Sequence, residues 1–308
     1  MKKQLIKYRY ILHAAASRLM LFVRKPSSLV FYIHYYLIVP MCRRKRGVRS
    51  PEATIVSYPK SGRTWLEDLL CELAKLKHNV SSSKVTTLRE LLDRYEDLPY
   101  IDFTHAGSSW ESYALTDDEI LSVPARKWAR GKVLFLWRDP KDTLVSSYYH
   151  LLYRTKIPWV QKKHLLEDPV VGIRKLVNFI NLWSRYVEEN PSSSIAVRYE
   201  DLKKDPVAVL QKICAFIGLN SSMSDIKAAV ENTRFEKMQR REREMRSANP
   251  WITPGDPKNT NSYKARKGTV GESQLFFQPD ELRILNRFIK QNLHISAIRE
   301  SCGKGSPS

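Results

Sequence analysis

The sequence predicts an α/β fold: a single domain built on a central, mainly parallel sheet that is flanked by helices. Two observations predict it. From residue 52 onward, short apolar runs alternate with helical patterns, and a turn that contains Ser and Gly joins the first run to a helix. Strand-then-helix repetition is typical of a parallel sheet covered on both faces. A turn of this kind before a helix is typical of a P-loop-like, phosphate-binding loop.

Three apolar runs are the predicted strands, at 54–57, 133–137 and 195–199, and each precedes a helical pattern. The helices that follow them are predicted at about 64–76, at about 141–154 and from residue 206. Further helices are predicted at about 171–189, 223–232 and 279–293. The expected organisation is an extension at 1–50, one domain at 51–300 and a frayed tail at 301–308.

The composition fits a globular protein. Hydrophobic residues make up 43% of the 308 residues, which excludes a mainly disordered chain. The cysteines at positions 42, 71, 214 and 302 form no CxxC pair, so a zinc ribbon is not expected. Four cysteines in so long a chain also indicate a reducing compartment, and we expect a cytoplasmic protein.

The charge indicates an anionic partner. The chain has 52 Lys and Arg residues against 32 Asp and Glu residues, a net charge of +20. Nucleic acid, acidic lipid and phosphorylated small molecules are all anionic partners that can bind a protein of such positive charge. One basic cluster lies at 43–49, whereas the cluster at 240–246 is interleaved with glutamates and predicts a solvated helix or loop. We therefore expect no nucleic-acid partner.

The N-terminal extension has two apolar features. An apolar stripe along a basic segment predicts an amphipathic helix with Leu5, Tyr8, Leu12, Ala15, Leu19 and Phe22 on one face. The uncharged run at 26–42 has 17 residues, fewer than the ~20 needed to cross a bilayer. Two interpretations stay open: peripheral association of residues 1–49 with acidic lipid, or packing of the apolar run on the domain.

The first candidate anion site follows the first predicted strand, where Tyr58–Trp65 leads into a helix. Free N–H groups and the positive end of the dipole at a helix N-terminus favour phosphate. Lys60 adds a positive charge, and Thr64 adds a hydroxyl. Lys60 precedes Gly62, the only glycine of the segment at 58–65. In a Walker A loop, by contrast, the lysine follows the second glycine. A kinase-like or nucleoside-triphosphatase protein is therefore kept as an alternative and not as the leading interpretation. A non-enzymatic basic binding module is the other alternative.

The second candidate anion site follows the strand at 133–137. A guanidinium such as that of Arg138, at the carboxyl end of a strand, can bind phosphate through two hydrogen bonds. Ser146 lies two helical turns later and can donate another. The structural alternative is a buried Arg–Asp pair that only fixes the loop. Two anion sites at adjacent strand ends indicate a nucleotide with two separated phosphate groups.

These two segments resemble the cytosolic sulfotransferase family, which uses 3′-phosphoadenosine 5′-phosphosulfate (PAPS) and releases adenosine 3′,5′-bisphosphate (PAP). The resemblance extends over five segments in the family's order. They are Tyr58–Trp65 (with Arg63 in place of Thr), Arg138–His150, Tyr199–Asp201, Thr233–Phe235 and Arg266–Gly271.

The resemblance implies a role for each matched residue, and it implies no metal. Lys60 would hold the bridging oxygen of the phosphosulfate. The residues implied for the 5′-phosphate are Ser61, Gly62, Arg63, Thr64 and Trp65. Those implied for the 3′-phosphate are Arg138, Ser146, Arg266, Lys267 and Gly268. Those implied around the adenine are Trp65, Tyr199, Thr233 and Phe235.

His105 is the implied general base, because Phe103-Thr104-His105 lies where the family has Lys-Thr-His. A neutral imidazole suits removal of a hydroxyl proton. The expected reaction is sulfuryl transfer from PAPS to a hydroxyl of a small-molecule, carbohydrate or lipid acceptor. The expected acceptor pocket contains His105, Trp110, Tyr113, Tyr148 and Tyr149.

Two departures from the family qualify these expectations. The late loop continues as Glu272-Ser273-Gln274, where the family usually has Asp-Trp-Lys. We expect altered local packing there, with the phosphate contacts kept. The family's short dimerisation segment has no match, so the sequence predicts no homodimer by that route and leaves the oligomeric state open.

Overall fold

A four-stranded parallel sheet forms the centre of the fold in the computed structural model, which describes residues 2–24, 49–81, 87–108, 115–244 and 254–294. The strands are β1 (Ala53–Ser57), β2 (Ile101–Thr104), β3 (Lys132–Trp137) and β4 (Ser194–Arg198). Their spatial order is β2-β1-β3-β4, and all three pairings are parallel. The four carboxyl ends therefore lie at one edge of the sheet, as the predicted α/β fold requires.

Helices cover both faces of this sheet. The first seven are α1 (Lys2–Arg24), α2 (Arg63–Lys77), α3 (Leu88–Arg94), α4 (Ala125–Trp128), α5 (Pro140–Tyr153), α6 (His164–Glu167) and α7 (Ile173–Glu189). The others are α8 (Tyr199–Lys204), α9 (Pro206–Ile217), α10 (Met223–Asn232), α11 (Phe235–Glu244), α12 (Ser273–Phe276) and α13 (Pro279–Asn292). Short 3₁₀ turns lie at Glu119–Ser122 and Thr260–Ser262.

The side chains of β3 point alternately to the two faces of the sheet, and each face has its own core layer. Val133 and Phe135 face a layer that includes α7, whereas Leu134 and Leu136 face the layer formed by α2, α9 and α10. Successive strand residues point to opposite faces of a sheet. Because both faces are buried, the strand reads as a continuous apolar run, which is why the sequence predicts it so clearly.

The three predicted strands are present, with one difference at the end of β4. Tyr199 begins α8 instead of ending the strand. Its ring packs edge-on against Trp65 and beneath the guanidinium of Arg138. These tertiary contacts outweigh the preference of an aromatic residue for a strand.

Helix α1 confirms the predicted N-terminal helix, but the predicted apolar stripe faces solvent. Leu5, Tyr8 and Leu12 are 64%, 57% and 68% exposed, whereas Tyr10 is 1% exposed. The Tyr10 hydroxyl donates to Asp168 Oδ2 at 3.1 Å, and Ile6 packs beside it on the core.

Ion pairs explain this orientation of α1. Lys3 Nζ lies 2.9 Å from Asp117 Oδ1 and 2.5 Å from Asp118 Oδ2, and Lys7 Nζ lies 2.7 Å from Glu119 Oε1. These pairs turn the Lys3–Lys7 face towards the domain, so the opposite stripe is left outside. The run at 26–42 and the tail at 301–308 lie outside the described residues. No helix within the described ranges has the length and hydropathy needed to cross a bilayer.

Candidate active site

The carboxyl ends of the four strands bring the predicted site residues into one row. His105 follows β2, the turn with Lys60 follows β1, Arg138 follows β3 and Tyr199 follows β4. Neighbouring strands lie about 5 Å apart. The row therefore has the order His105, Lys60, Arg138, Tyr199, and it places the predicted base beside the predicted catalytic lysine.

The turn between β1 and α2 has the backbone of an anion-binding loop. Lys60 has φ 74° and Gly62 has φ 97°, both in the left-handed region. A Cβ atom at Gly62 would lie 2.5 Å from the ring of Tyr199, so this position requires glycine. The N-cap residue of α2 is Gly62, which has no side chain to bond the first-turn N–H groups, and these groups face the carboxyl edge of the sheet. Arg63, Thr64 and Trp65 form that first turn, and Ser61 is buried before it.

Lys60 lies among other cations. Burial and the nearby charges of Arg154 and Lys264 lower its pKa to about 7, with a smaller contribution from Arg138, while Glu242 opposes the shift. Among the residues that the structure describes, no hydrogen bond or ion pair involves Lys60 Nζ. Such a group gains its missing counter-charge when an anion binds.

The predicted solvated helix is present at 240–244, where Arg240 and Arg243 are exposed, but Glu242 departs from the prediction. Its carboxylate is buried and accepts hydrogen bonds from Arg154 Nη1 at 3.2 Å, from the Lys264 amide at 2.7 Å and from the Ala265 amide at 3.0 Å. Helix α11 packs this residue inward, so that Glu242 holds the Arg154 guanidinium and the main chain of Lys264 near Lys60. The sequence carries no local signal for Glu242, Arg154 and Lys264, because these contacts join residues that lie 22 or more positions apart.

Arg138 is buried at the end of β3. Its Nη2 donates to the Thr269 carbonyl at 2.9 Å and lies 3.7 Å from Asp142 Oδ2. The Arg–Asp pair named as the structural alternative is therefore present. Within the described part of the chain, however, the buried Arg138 Nε has no hydrogen-bond partner. A donor without an acceptor in this position fits an anion, and Ser146 lies half-buried two turns along α5.

The late loop is attached to α5 through Asp142. The Asp142 carboxylate accepts from the Gly271 amide at 2.6 Å and from the Ser273 amide at 2.9 Å. Arg266 pairs with Glu272 and lies over the ring of Tyr149, with 4.0 Å between the guanidinium carbon and the ring centroid. The loop thus reaches the same edge of the sheet as Arg138.

The remaining predicted residues lie beside these two regions. Trp65 and Tyr199 pack edge-on with ring centroids 6.0 Å apart. Thr233 is buried, and its hydroxyl donates to the Ala229 carbonyl at 2.9 Å, so that hydroxyl is already engaged. Phe235 contacts Gly268, where a Cβ atom would lie 2.8 Å from the Phe235 ring. Lys267 is exposed next to Gly268.

His105 is held by the neighbouring strand. Its Nδ1 lies 2.7 Å from the Ser57 carbonyl oxygen. A carbonyl can only accept, so Nδ1 carries the proton in this bond and Nε2 carries the lone pair of the neutral ring. The bond fixes the tautomer that a general base needs.

The structure describes only part of the expected acceptor pocket. Trp110 and Tyr113 lie outside the described residues. Tyr148 and Tyr149 both pack against Phe276, and Tyr149 also contacts Arg266, so these rings lie towards the late loop. An apolar cavity of about 290 Å³ lies instead beside Ala106 and Gly107, directly after His105.

Comparison with known proteins defines the class. Residues 50–297 match the family model described as the sulfotransferase domain. The chain therefore belongs to the sulfotransferase family, whose members are transferases of sulfur-containing groups. This membership sets aside both alternatives, the kinase-like protein and the non-enzymatic basic module.

Individual relatives support the same class. A 3-beta-hydroxysteroid sulfotransferase of Cavia porcellus is 24% identical, over 75% of this chain and 79% of that protein. A flavonol 3-sulfotransferase of Flaveria bidentis is 26% identical, over 78% and 80%. The solved structure of mouse sulfotransferase SULT7A1 with PAP has a TM-score of 0.54 and 20% identity, over 82% of this chain and 88% of that one. This last likeness shows that the fold is shared.

Proposed function

We propose that this protein transfers a sulfuryl group from PAPS to a hydroxyl of a small-molecule acceptor. The observation that carries the proposal is the row of strand ends, which aligns His105, Lys60 and Arg138 along one edge of the sheet. The mouse structure with PAP, the product of such a donor, supports the choice of nucleotide.

The donor fits the cationic groups at this edge. The amides of Ser61 to Trp65 and the Lys60 ammonium would bind the 5′-phosphosulfate at the start of α2. Arg138, with its buried Nε, would bind the 3′-phosphate together with Ser146 and the late-loop residues Arg266, Lys267 and Gly268. The adenine would lie against Trp65, Tyr199, Thr233 and Phe235. No metal takes part in this arrangement, because lysine and arginine supply the positive charge.

The transfer step assigns different tasks to His105 and Lys60. The donor supplies an activated sulfuryl group, and the acceptor oxygen forms a bond to sulfur as the bond from sulfur to the 5′-phosphate oxygen breaks. His105 Nε2 takes the proton of the acceptor, and the Ser57 carbonyl stabilises the resulting imidazolium through Nδ1–H. Lys60 balances the charge that develops on the departing phosphate oxygen.

The acceptor is proposed to be a compact apolar compound with a hydroxyl. The cavity after His105 is lined mainly by apolar residues that include Leu115, Val123 and Trp128, and its polar side chains are Glu119, Ser122 and Lys127. Two relatives are named for a hydroxysteroid and a flavonol, and both are ring compounds of this kind. Apolar walls with few polar groups are typical of small-molecule sites.

The test is transfer of labelled sulfate from PAPS to a panel of hydroxysteroids, flavonols, simple phenols, sugars and glycolipids. The proposal expects labelled product with at least one ring compound and none with sugars. Absence of transfer to every acceptor, in a protein that binds PAP, would contradict the acceptor class. Failure to bind PAP would contradict the donor.

We also propose that the protein is cytoplasmic and that α1 associates peripherally with acidic membranes. Residues 1–49 contain twelve Lys and Arg residues and no Asp or Glu. The exposed stripe of Leu5, Tyr8 and Leu12 is an apolar face on that basic segment. Apolar area combined with positive charge is the chemistry that binds an anionic lipid surface. The buried thiols of Cys71 and Cys214 support a reducing compartment.

Vesicle flotation tests the membrane proposal. The protein should float with vesicles that contain phosphatidylserine and stay behind with pure phosphatidylcholine vesicles. The double variant Leu5→Glu/Leu12→Glu should lose flotation, whereas Ile284→Glu, at a residue of similar exposure on α13, should keep it. Equal flotation of the double variant and the wild type would contradict a role for this stripe.

A further inference from the structure

The late loop carries an internal carboxylate at the predicted 3′-phosphate contacts. Arg266 directs both terminal nitrogens at Glu272, with Nη1 to Oε1 at 2.8 Å. Lys267 Nζ lies 3.1 Å from the same Oε1. The side chains of Arg266 and Glu272 are only 8% and 9% exposed. Two cationic groups that the family resemblance assigns to a phosphate thus converge on one glutamate.

The backbone keeps this glutamate in place. Asp142 accepts hydrogen bonds from the amides of Gly271 and Ser273, the two residues that flank Glu272. The main chain at Glu272 is therefore attached to α5 on both sides. The Glu272 side chain can leave Arg266 by rotation about its own bonds, without movement of the loop.

We propose that Glu272 takes the place of the nucleotide's 3′-phosphate in the free protein, and that its displacement sets the affinity for the donor. The inference rests on the proposed function, since it needs Arg266 and Lys267 to bind a 3′-phosphate. Glu272 is then a specificity-determining residue, because only a ligand with a phosphate at this position must compete with it.

Chemical likeness supports the exchange. A carboxylate and a phosphate both present paired oxygens that match the two-pronged guanidinium. Burial opposes ionisation of Glu272, but its hydrogen bonds and charges with Arg266 and Lys267 hold its pKa below the usual range. A phosphate dianion brings more negative charge to the same donors than a carboxylate does, so it can displace Glu272. Tyr149 keeps the guanidinium in place during the exchange.

Calorimetry with two nucleotides tests the inference. Adenosine 3′,5′-bisphosphate carries the competing phosphate, and adenosine 5′-phosphate lacks it. We expect Glu272→Gln to bind the bisphosphate about tenfold more tightly than the wild type, the gain typical of removing one charge-assisted pair. We expect the two proteins to bind adenosine 5′-phosphate equally, which also shows that the variant is folded.

A matched control removes a carboxylate elsewhere. Asp280→Asn deletes one negative charge near the start of α13, where Asp280 pairs with Arg283, and it should leave both affinities unchanged. Unchanged or weaker bisphosphate binding by Glu272→Gln would overturn the inference while the proposed donor stands. No bisphosphate binding by the wild type would overturn both.

Discussion

The two cationic turns of the site differ in how their positive charges are balanced. In the Lys60 turn, burial and the nearby charges of Arg154 and Lys264 lower the pKa of the lysine to about 7. The Arg266–Lys267 loop pairs its cations with Glu272 at 2.8 and 3.1 Å. Among the described residues, the ammonium group of Lys60 has no ion-pair partner, whereas the Arg266–Lys267 loop contains its own carboxylate.

This difference suggests a division of labour between the ends of the donor. A cation without a partner stabilises new negative charge most strongly, which suits the end where the bond to sulfur breaks. A paired cation gives a weaker net gain on binding, which suits the distant end, where tight binding would only slow release of the product.

The largest expected effect is at Lys60. Lys60→Met should lower the rate of sulfuryl transfer at saturating donor by about a thousandfold, because the charge on the leaving oxygen is no longer balanced. Labelled-sulfate transfer measures this loss. A rate within tenfold of the wild type would remove Lys60 from the mechanism.

Stability gives an independent check on the same variant. The pKa of Lys60 is about 7 when folded and about 10.5 when exposed, so the folded state is penalised most at or below pH 7. Lys60→Met should therefore be at least as stable as the wild type at pH 6, and the difference should shrink as the pH rises towards 10. Denaturant unfolding at several pH values measures it.

A smaller and different effect is expected at Arg266. Arg266→Met should raise the KM for PAPS by about ten- to a hundredfold through loss of phosphate binding. It should leave kcat within a fewfold of the wild type, because Arg266 lies at the end away from sulfur. A loss confined to kcat would contradict the division of labour.

The smallest expected effect is the uptake of a proton when PAP binds. An anion beside Lys60 should raise its pKa, so Lys60 itself should take up close to one proton when PAP binds at pH 8 and almost none at pH 6. Calorimetry in buffers of different ionisation enthalpy measures this uptake. Lys60→Met should abolish it, and uptake that persists in the variant would assign the proton to another group.

The parts of the molecule that could be predicted from sequence are those set by local pattern. The buried run at 133–137 and the Ser-Gly turn at 58–65 carry their own signals, and the structure has a strand and a helix start there. The resemblance supplied the role of His105, which no periodicity could have indicated.

The parts that could not be predicted depend on distant contacts. The face of α1 that packs inward is chosen by Asp117 and Glu119, more than 100 residues away. Glu242 lies in a run of charged residues that is typical of a solvent-exposed helix. It is nevertheless buried, and its carboxylate accepts hydrogen bonds from the amides of Lys264 and Ala265. Glu272 is visible as a departure from the family, but its pairing with Arg266 depends on how the loop closes.

A crystal structure of the protein with adenosine 3′,5′-bisphosphate tests the central claim most directly. We predict the 5′-phosphate at the start of α2 beside Lys60, the 3′-phosphate on Arg138 and Arg266, and Glu272 turned away from the guanidinium. A nucleotide bound elsewhere, or one whose two phosphates do not reach both turns, would contradict this account.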